Sequence, residues 1–169
     1  MKAVQEHRRD QRAKADCALL VTSDIRRPET DETGRAAIHL LEGAGHKVAA
    51  YEIVRNDTTQ IQEALERFLD DERIQVVMTS GGTGISPKDK TVDTVSALLD
   101  RHLEGFGELF RRLSYDEIGE AAIISRATAG VARGKLVFCL PGSQNAMELG
   151  LRRIILPALG HMLWELSRR

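Results

Sequence analysis

Short apolar runs alternate with amphipathic stretches along most of this chain, and this alternation restricts the possible folds more than any other feature. Four of the runs are almost continuously apolar and are bounded by turn residues or charge, as buried parallel strands are. They cover residues 17–22, 48–54, 74–79 and 136–140. Strands that alternate with helices are typical of βαβ units, in which helices cover both faces of a largely parallel sheet. The pattern therefore predicts an α/β protein.

Apolar residues with helical spacing lie between or after these strands. They fall within residues 37–44, 61–69, 106–113 and 151–159, and each stripe predicts a helix with one buried face. Thr59 and Gln62 predict a capping box at the start of the second helix, and Ser114 predicts the start of a further helical turn after the third. Pro157 removes a backbone donor, so the last helix is expected to kink or split near Leu156.

Length and charge limit the domain organisation and the partners of the chain. A length of 169 residues, of which 42% are hydrophobic and 29% charged, suits one compact domain. Lys and Arg number 24 against 25 Asp and Glu, so the net charge of -1 gives no global attraction to nucleic acid or to an anionic membrane. Since only 4% of the residues are aromatic, the chain has few side chains on which nucleic-acid bases could stack. We therefore expect neither partner.

The first sixteen residues differ in character from the remainder. Residues 1–16 are rich in charge and contain no apolar run, so we expect a flexible charged arm rather than a secretory signal, followed by one domain at 17–169. No apolar run approaches the roughly 20 residues of a membrane helix, which favours a cytoplasmic protein. Cys17 and Cys139 each lie within an apolar run, which favours buried thiols over a disulfide or a zinc site.

The segment 79–91 is the most informative for chemistry, because it leaves a predicted strand and leads towards a helix. Three glycines at 81–84 allow backbone amides to approach a ligand, and such a loop can form an anion-binding nest. Asp89 occupies the position where a Walker loop requires glycine, and Pro87 occupies that of the third glycine in the dinucleotide fingerprint. Neither of these two motifs fits.

Asp89 adds a possible metal ligand to this loop. Mg²⁺ prefers carboxylate oxygens together with substrate phosphates and water, so a glycine nest followed by Asp89 has the minimum equipment for nucleotidyl or phosphoryl transfer. The alternative is an ordinary strand-to-helix turn in which Asp89 caps the helix.

A second turn of this kind, formed by Pro141, Gly142 and Ser143, follows the last predicted strand. It either receives an anionic group or uses Ser143 as a helix cap. If parallel strands bring both turns to the same sheet edge, they form a pocket with two anion subsites.

Several segments follow one another in an informative order along the chain. They are GGTG at 81–84 followed by Asp89, GFGE at 105–108 with Arg111 nearby, SRATAGV at 125–131 and PGS at 141–143. Ser23 and Asp24 follow the first strand, and AGH lies at 44–46. Together these segments resemble the MoaB/MogA family of molybdenum cofactor biosynthesis proteins, and the resemblance extends from about residue 17 to about residue 159.

The resemblance implies a three-layer α/β/α fold, the MogA-like molybdopterin-binding fold. Active members of the family transfer AMP from MgATP to the terminal phosphate of molybdopterin, and family members are trimers or hexamers. Asp89 would then be the Mg²⁺ or catalytic carboxylate, and the turn 141–143 would hold the pterin phosphate. The residues that would cradle phosphate are Gly81, Gly82, Thr83 and Gly84. Ser23, Asp24 and Glu108 are expected to be polar residues of the same pocket.

One position departs from the family pattern. Active MogA-type members have a second catalytic aspartate just after the second strand, where this chain has Asn56 followed by Asp57. Asparagine can coordinate a metal through its carbonyl but carries no charge. Asp57 either compensates through a one-residue loop shift or caps the second helix.

The resemblance and this departure leave three hypotheses for function. The first is a molybdopterin adenylyltransferase that uses MgATP. The second is a non-catalytic molybdopterin-binding carrier or oligomeric scaffold, which Asn56 motivates. The third is a related domain that acts on another pterin or nucleotide, since the phosphate loops do not choose the organic ligand.

Overall fold

The computed structural model describes residues 14–168 and is built around one six-stranded sheet. The strands are β1 (Asp16–Thr22), β2 (Lys47–Val54), β3 (Val76–Ser80), β4 (Arg101–His102), β5 (Thr128–Ala132) and β6 (Lys135–Leu140). Their order across the sheet is β2-β1-β3-β6-β5-β4. The four strands predicted from apolar runs are β1, β2, β3 and β6, and they run parallel to one another. The prediction of a mostly parallel sheet is confirmed.

Within residues 14–168, six α-helices connect these strands or follow them. They are α1 (Glu32–Gly43), α2 (Thr58–Asp70), α3 (Thr91–Leu98), α4 (Glu104–Ile118), α5 (Gln144–Gly150) and α6 (Leu156–Ser167). Short 3-10 helices cover Pro28–Thr30 and Gly119–Ile124, and a π-helical turn covers Leu151–Ile155. Each of the four predicted amphipathic stripes therefore lies on helical structure.

Two hydrophobic clusters separate the sheet from its two helical layers. On one face, Phe138 of β6 packs in a buried cluster with Leu41 of α1 and Phe110 of α4. On the other face, Val137 of β6 packs with Leu65 of α2 and Val95 of α3. Because successive strand residues point to opposite faces, the almost continuous apolar runs fill both clusters. The expected three-layer α/β/α architecture is thus present.

Some local predictions need correction. The second helix is capped by Asp57, whose Oδ1 accepts a hydrogen bond from the Gln60 amide at 3.0 Å, rather than by Thr59. Ser114 does not open a new turn, because α4 continues to Ile118 and buries Ser114.

The last helix is expected to kink or split near Leu156, and the structure has a π-helical turn at Leu151–Ile155 immediately before that residue, with the backbone remaining helical. The Leu156 amide donates to the Leu151 carbonyl at the end of the π-helical turn, and α6 begins at Leu156 with Pro157 in its first turn. Pro157 has no amide to donate, and it lies where the π-helical turn has already interrupted the regular hydrogen-bond ladder of the helix.

Both cysteines lie at the centre of the sheet, as their apolar surroundings predict. Cys17 in β1 and Cys139 in β6 are each 0% exposed. Burial raises the pKa of both thiols to about 12. Most of the predicted charged arm lies outside the described residues. Within residues 14–168, no helix is long and apolar enough to cross a bilayer.

A histidine beside the first strand makes stability sensitive to pH. The Ala15 amide donates to Nδ1 of His46 at 3.2 Å, and burial lowers the pKa of His46 from 6.5. The unfolded chain then binds a proton more readily than the folded protein, so stability decreases as the pH falls through the unfolded pKa. We expect the free energy of unfolding, measured by urea titration, to decrease between about pH 7 and about pH 5.5, and to decrease less in His46→Gln.

The control for this measurement is His39→Gln, which changes an exposed histidine of α1. This variant is expected to keep the full pH dependence of the parent protein. Equal slopes in His46→Gln and in the parent would contradict the role assigned to His46.

Candidate functional site

The two glycine turns predicted from sequence meet at the carboxyl edge of the parallel strands. They follow β3 and β6, which are neighbours in the sheet with Ser80 opposite Leu140. The Gly81 amide donates to the Leu140 carbonyl at 3.0 Å, and a Cβ added to Gly142 would lie 3.3 Å from the Gly81 Cα. The predicted juxtaposition of the two turns is therefore present.

Two residues of the first turn require glycine. Gly81 and Gly82 have φ values of +98° and +65°, which residues with a Cβ rarely adopt. A Cβ on Gly81 would lie 2.5 Å from the Thr22 carbonyl oxygen, and one on Gly82 would lie 2.2 Å from Thr91 Oγ1. The Thr22 and Thr91 hydroxyls are themselves 2.9 Å apart and buried. This hydrogen bond joins the end of β1 to the start of α3 and fixes the floor of the turn.

Asp89 lies on the loop that continues from the first turn. Its Oδ2 accepts a hydrogen bond from the Ser86 amide at 2.9 Å and would lie 2.8 Å from a Cβ on Gly84. Lys90, and not Asp89, is the N-cap residue of α3, so the helix-cap alternative is wrong. Oδ1 of Asp89 accepts no hydrogen bond from the rest of residues 14–168. The carboxylate borders an open cleft of about 320 Å³.

Asn56 points into the same turn. Its Oδ1 is buried without a hydrogen-bond partner among the described residues, and it would lie 3.0 Å from a Cβ on Gly82. The backbone amide of Asn56 donates to Oδ1 of Asp24 at 3.0 Å. This hydrogen bond links the loop after β1 to the loop after β2. Asp57 caps α2 through its own side chain. Of the two interpretations of Asp57, the helix cap is confirmed.

The remaining predicted site residues differ in what they contact. Ser23 Oγ accepts from the Arg26 amide at 3.0 Å and shapes the loop after β1. Ser143 Oγ accepts from the Ala146 amide at 3.3 Å, so it caps α5. Thr83 is 5% exposed, and its carbonyl accepts from the Arg126 amide at 3.0 Å. Glu108 is exposed on α4. Within residues 14–168 it has no hydrogen bond or ion pair with either turn.

Two arginines that the sequence did not identify as site residues contact the glycine turns. Arg126 donates through Nε to the Gly84 carbonyl at 2.9 Å and pairs with both carboxylate oxygens of Asp93 at 2.9 and 3.1 Å. These hydrogen bonds lower the pKa of Asp93. Arg26 donates through Nη2 to the Gly142 carbonyl at 2.7 Å. The only sequence signal for Arg126 is its place within the family-like segment 125–131.

The oxygen atoms at this edge suit a magnesium ion that arrives with a phosphate ligand. Within the described part of the chain, no group of three or more His, Cys, Asp or Glu residues could hold a metal by itself. Mg²⁺ does not need such a group, since it is usually held by one or two protein oxygens, substrate phosphates and water. The Asp89 carboxylate and the unpartnered Asn56 Oδ1 are two such oxygens beside one loop.

The fold and site together define a doubly wound α/β protein. The strand order reverses between β1 and β3, and the loops after β1, β2, β3 and β6 meet at the adjoining carboxyl edge. Ligands of such proteins bind in the crevice at this point.

Comparison with known proteins identifies the family. Residues 18–161 match the family described as a probable molybdopterin binding domain. The molybdenum cofactor biosynthesis protein B of Bacillus cereus is 45% identical over 168 residues, covering 99% of each chain. A crystal structure of molybdenum cofactor biosynthesis protein B shares 47% identity with a TM-score of 0.90, covering 93% of this chain and 98% of the other. The chain therefore belongs to the MoaB family of molybdenum cofactor biosynthesis proteins.

A more distant solved structure has the same fold. The tungsten cofactor synthesizing protein MoaB of Pyrococcus furiosus is 36% identical with a TM-score of 0.83, covering 92% of this chain and 98% of that one.

Proposed function

We propose that this protein is a molybdopterin adenylyltransferase, which transfers AMP from MgATP to the terminal phosphate of molybdopterin. The observation that carries the proposal is the contact between the two glycine turns, with a Gly142 Cβ position 3.3 Å from the Gly81 Cα. Adenylyl transfer requires two phosphate groups at one place, and two adjacent turns of this kind offer two phosphate subsites.

The reaction makes one bond and breaks one. An oxygen of the pterin phosphate attacks the α-phosphorus of ATP, the bond from that phosphorus to the oxygen bridging the β-phosphorus breaks, and pyrophosphate leaves. Because both reactants are anions, the protein must position them and stabilise charge more than it must supply a nucleophile. Such chemistry requires no Ser-His-Asp or Cys-His arrangement.

We assign the first turn, at 81–84, to the phosphates of ATP and the second, at 141–143, to the phosphate of the pterin. Asp89 and Asn56 Oδ1 are the oxygens that would hold Mg²⁺, which neutralises charge on the transferred phosphate when it is bound. Asp24 orients Asn56 because its Oδ1 accepts a hydrogen bond from the Asn56 backbone amide. Ser23 and Thr83 shape the loops around these groups, and Glu108 stays a prediction that no contact supports.

The fate of a label in ATP tests this proposal. Purified protein is incubated with molybdopterin and MgATP that carries a radioactive phosphate at either the α or the γ position. The proposal expects the α-label in the pterin product and the γ-label in pyrophosphate. Label from the γ position in the pterin would indicate phosphoryl transfer instead, and no label in the pterin from either position would exclude both reactions.

A specific observation also favours a second candidate, a molybdopterin-binding carrier without turnover. Asn56 is neutral where active MogA-type members are expected to have a carboxylate, and Asp57 is committed to capping α2. A carrier would bind molybdopterin with an affinity that MgATP does not change. The label experiment separates the two candidates, since a carrier transfers neither label.

Adding a carboxylate at position 56 is expected to strengthen the metal site. Asn56→Asp adds a negative charge beside Gly82, where the Asn56 Oδ1 lies without a partner. We expect the Mg²⁺ concentration for half-maximal transfer to decrease about tenfold, corresponding to about 1.4 kcal/mol. Asn56→Ala, which removes the oxygen, should increase that concentration. An unchanged Mg²⁺ dependence in both variants would show that residue 56 does not contact the metal.

The homo-oligomer, a trimer or hexamer, and the cytoplasmic location remain predictions. Use of ATP agrees with the predicted location. A group of exposed apolar side chains at the end of α4 and in the following 3-10 helix gives self-association a surface to use. These side chains are Tyr115, Ile118, Ile123 and Ile124, with exposures of 59%, 58%, 83% and 50%.

A further inference from the structure

One arginine side chain donates a hydrogen bond to each glycine turn, and each of these arginines forms an ion pair with an aspartate. Arg26 donates to the Gly142 carbonyl at 2.7 Å, and Arg126 donates to the Gly84 carbonyl at 2.9 Å. The two guanidinium groups are half-buried, with side-chain exposures of 30% and 35%. The same arrangement therefore occurs once at each proposed phosphate subsite.

Arg26 is supported by a fully buried carboxylate. Asp31 is 0% exposed, and its Oδ1 lies 3.6 Å from Nη1 of Arg26. The same carboxylate accepts from the Gly34 amide at 3.0 Å and from the Tyr51 hydroxyl at 2.7 Å. These donors come from α1 and β2, so the position of Arg26 is set by rigid elements. Because a buried carboxylate without such partners would be costly, this network makes a fixed anchor.

Arg126 is anchored differently. Its two terminal nitrogens pair with the two carboxylate oxygens of Asp93, at 2.9 and 3.1 Å. The Asp93 side chain is 69% exposed, so this support is open to solvent. The backbone amide of Arg126 donates to the Thr83 carbonyl at 3.0 Å. Arg126 thus holds two successive carbonyls of the first turn, those of Thr83 and Gly84.

Holding a carbonyl fixes the orientation of the peptide that contains it. In a trans peptide the C=O and the following N–H point in opposite directions. The Gly142 carbonyl accepts from Arg26 and also from Thr33 Oγ1 at 3.0 Å, so the Ser143 amide points away from both donors. The Gly84 carbonyl accepts from Arg126, so the Ile85 amide likewise points away. Glycine peptides reorient easily, and each arginine selects one of the orientations open to them.

We infer that Arg26 and Arg126 are separate positioning residues, Arg26 for the phosphate of molybdopterin and Arg126 for the phosphates of ATP. This inference rests on the proposed function, because it uses the same two ligands and the same division of the turns. The inference adds that the binding affinity of each ligand depends on one arginine and does not depend on the other. A preformed orientation of donors strengthens anion binding because no reorganisation is required when the ligand arrives.

Calorimetry with each ligand alone tests this division. Molybdopterin and MgATP are titrated separately into the full chain, Arg26→Gln and Arg126→Gln. We expect Arg26→Gln to weaken molybdopterin binding about 10- to 100-fold and MgATP binding less than about twofold. Arg126→Gln should show the reverse. If both variants weaken both ligands equally, if neither weakens either, or if the pattern is exchanged, the inference is wrong.

A third variant separates orientation from charge. Thr33→Val removes the second donor to the Gly142 carbonyl, keeps the shape of a residue that is 2% exposed and leaves the charge unchanged. We expect it to weaken molybdopterin binding several-fold and to spare MgATP, and Arg26→Lys to recover only part of the affinity lost in Arg26→Gln. Full recovery with Lys together with no effect of Thr33→Val would mean that Arg26 acts by charge alone, which overturns a positioning role.

Failure of the inference can be distinguished from failure of the proposed function. If the parent protein binds both ligands and transfers AMP but the variants show no selectivity, only the division between the arginines fails. If the parent binds neither ligand, the proposed function fails and takes the inference with it. Thermal unfolding of each variant shows whether weakened binding reflects loss of fold, and Thr33→Val keeps the test informative if an arginine variant does not fold.

Discussion

Replacing Asp89 by asparagine is expected to lower AMP transfer at least about 100-fold, a loss of about 2.7 kcal/mol of transition-state stabilisation. The variant keeps an oxygen that can accept the hydrogen bond from the Ser86 amide, observed at 2.9 Å, so the loop should keep its shape. The variant loses the negative charge of the carboxylate, which is proposed to hold Mg²⁺. Molybdopterin binding and the free energy of unfolding should therefore remain close to those of the parent protein.

Steady-state transfer, calorimetry and urea unfolding measure these three quantities. The matched control is Asp116→Asn, which also exchanges a carboxylate for an amide. Asp116 is exposed on α4, where it pairs with Arg112 one helical turn away, and a surface pair of this kind contributes little. If Asp89→Asn transfers AMP at the same rate as Asp116→Asn, the role assigned to Asp89 is wrong.

Adding one methyl group at Gly82 is expected to weaken MgATP binding strongly. A Cβ there would lie 2.2 Å from Thr91 Oγ1 and 3.0 Å from Asn56 Oδ1, and the φ of +65° is already unfavourable for alanine. The turn must move, which separates the Thr22 and Thr91 hydroxyls that form its floor. We expect Gly82→Ala to weaken MgATP binding at least about 100-fold and to lower stability by about 1–3 kcal/mol.

Gly134→Ala is the control that separates backbone strain from steric overlap. Gly134 has a φ of +74°, with nothing within 4 Å of an added Cβ. It lies between β5 and β6, at the opposite end of β6 from the site. This variant should lose stability but bind MgATP as the parent does. Equal MgATP binding by Gly82→Ala and Gly134→Ala would contradict the geometry assigned to the first turn.

Three of the parallel strands, β1, β3 and β6, could be predicted because they are buried on both faces and therefore read as apolar runs. The edge strand β2 carries a similar run although it is only half-buried. β5 could not be predicted in this way, since its sequence TAGVA contains small residues with low strand propensity. It forms because Arg133 and Gly134, with φ values of 49° and 74°, make a tight turn that lays β5 antiparallel to β6. Pairing with β6 across this turn, and not the strand propensity of the segment itself, determines that strand.

Helix ends were less predictable than helix faces. Ser114 has the residue type of a cap, yet α4 passes through it and leaves it only 5% exposed. Asp57 caps α2 two residues before the start of the predicted box. Several residues near a helix start can supply a capping oxygen, and backbone geometry decides which one does.

In the site, features formed by neighbouring residues could be predicted from the sequence, and contacts between distant residues could not. The first glycine turn and Asp89 lie close together in sequence, and the second turn directly follows its own apolar run, so local patterns are sufficient to predict each of them. The contact from Arg26 to Gly142 spans 116 residues, and that from Arg126 to Gly84 spans 42. No local pattern reports such pairs, because they depend on how the sheet brings distant loops to one edge. The sequence indicates only the missing charge at Asn56, whereas the burial of its unpartnered Oδ1 depends on the fold.

The measurement that tests the central claim most directly is pyrophosphate release by the parent protein with molybdopterin and MgATP together. We expect one pyrophosphate for each molybdopterin converted, and none when either substrate is omitted. Adenylylated pterin should accumulate at the same rate. Binding of molybdopterin without any release of pyrophosphate would contradict the transferase and would leave the carrier as the function of this protein.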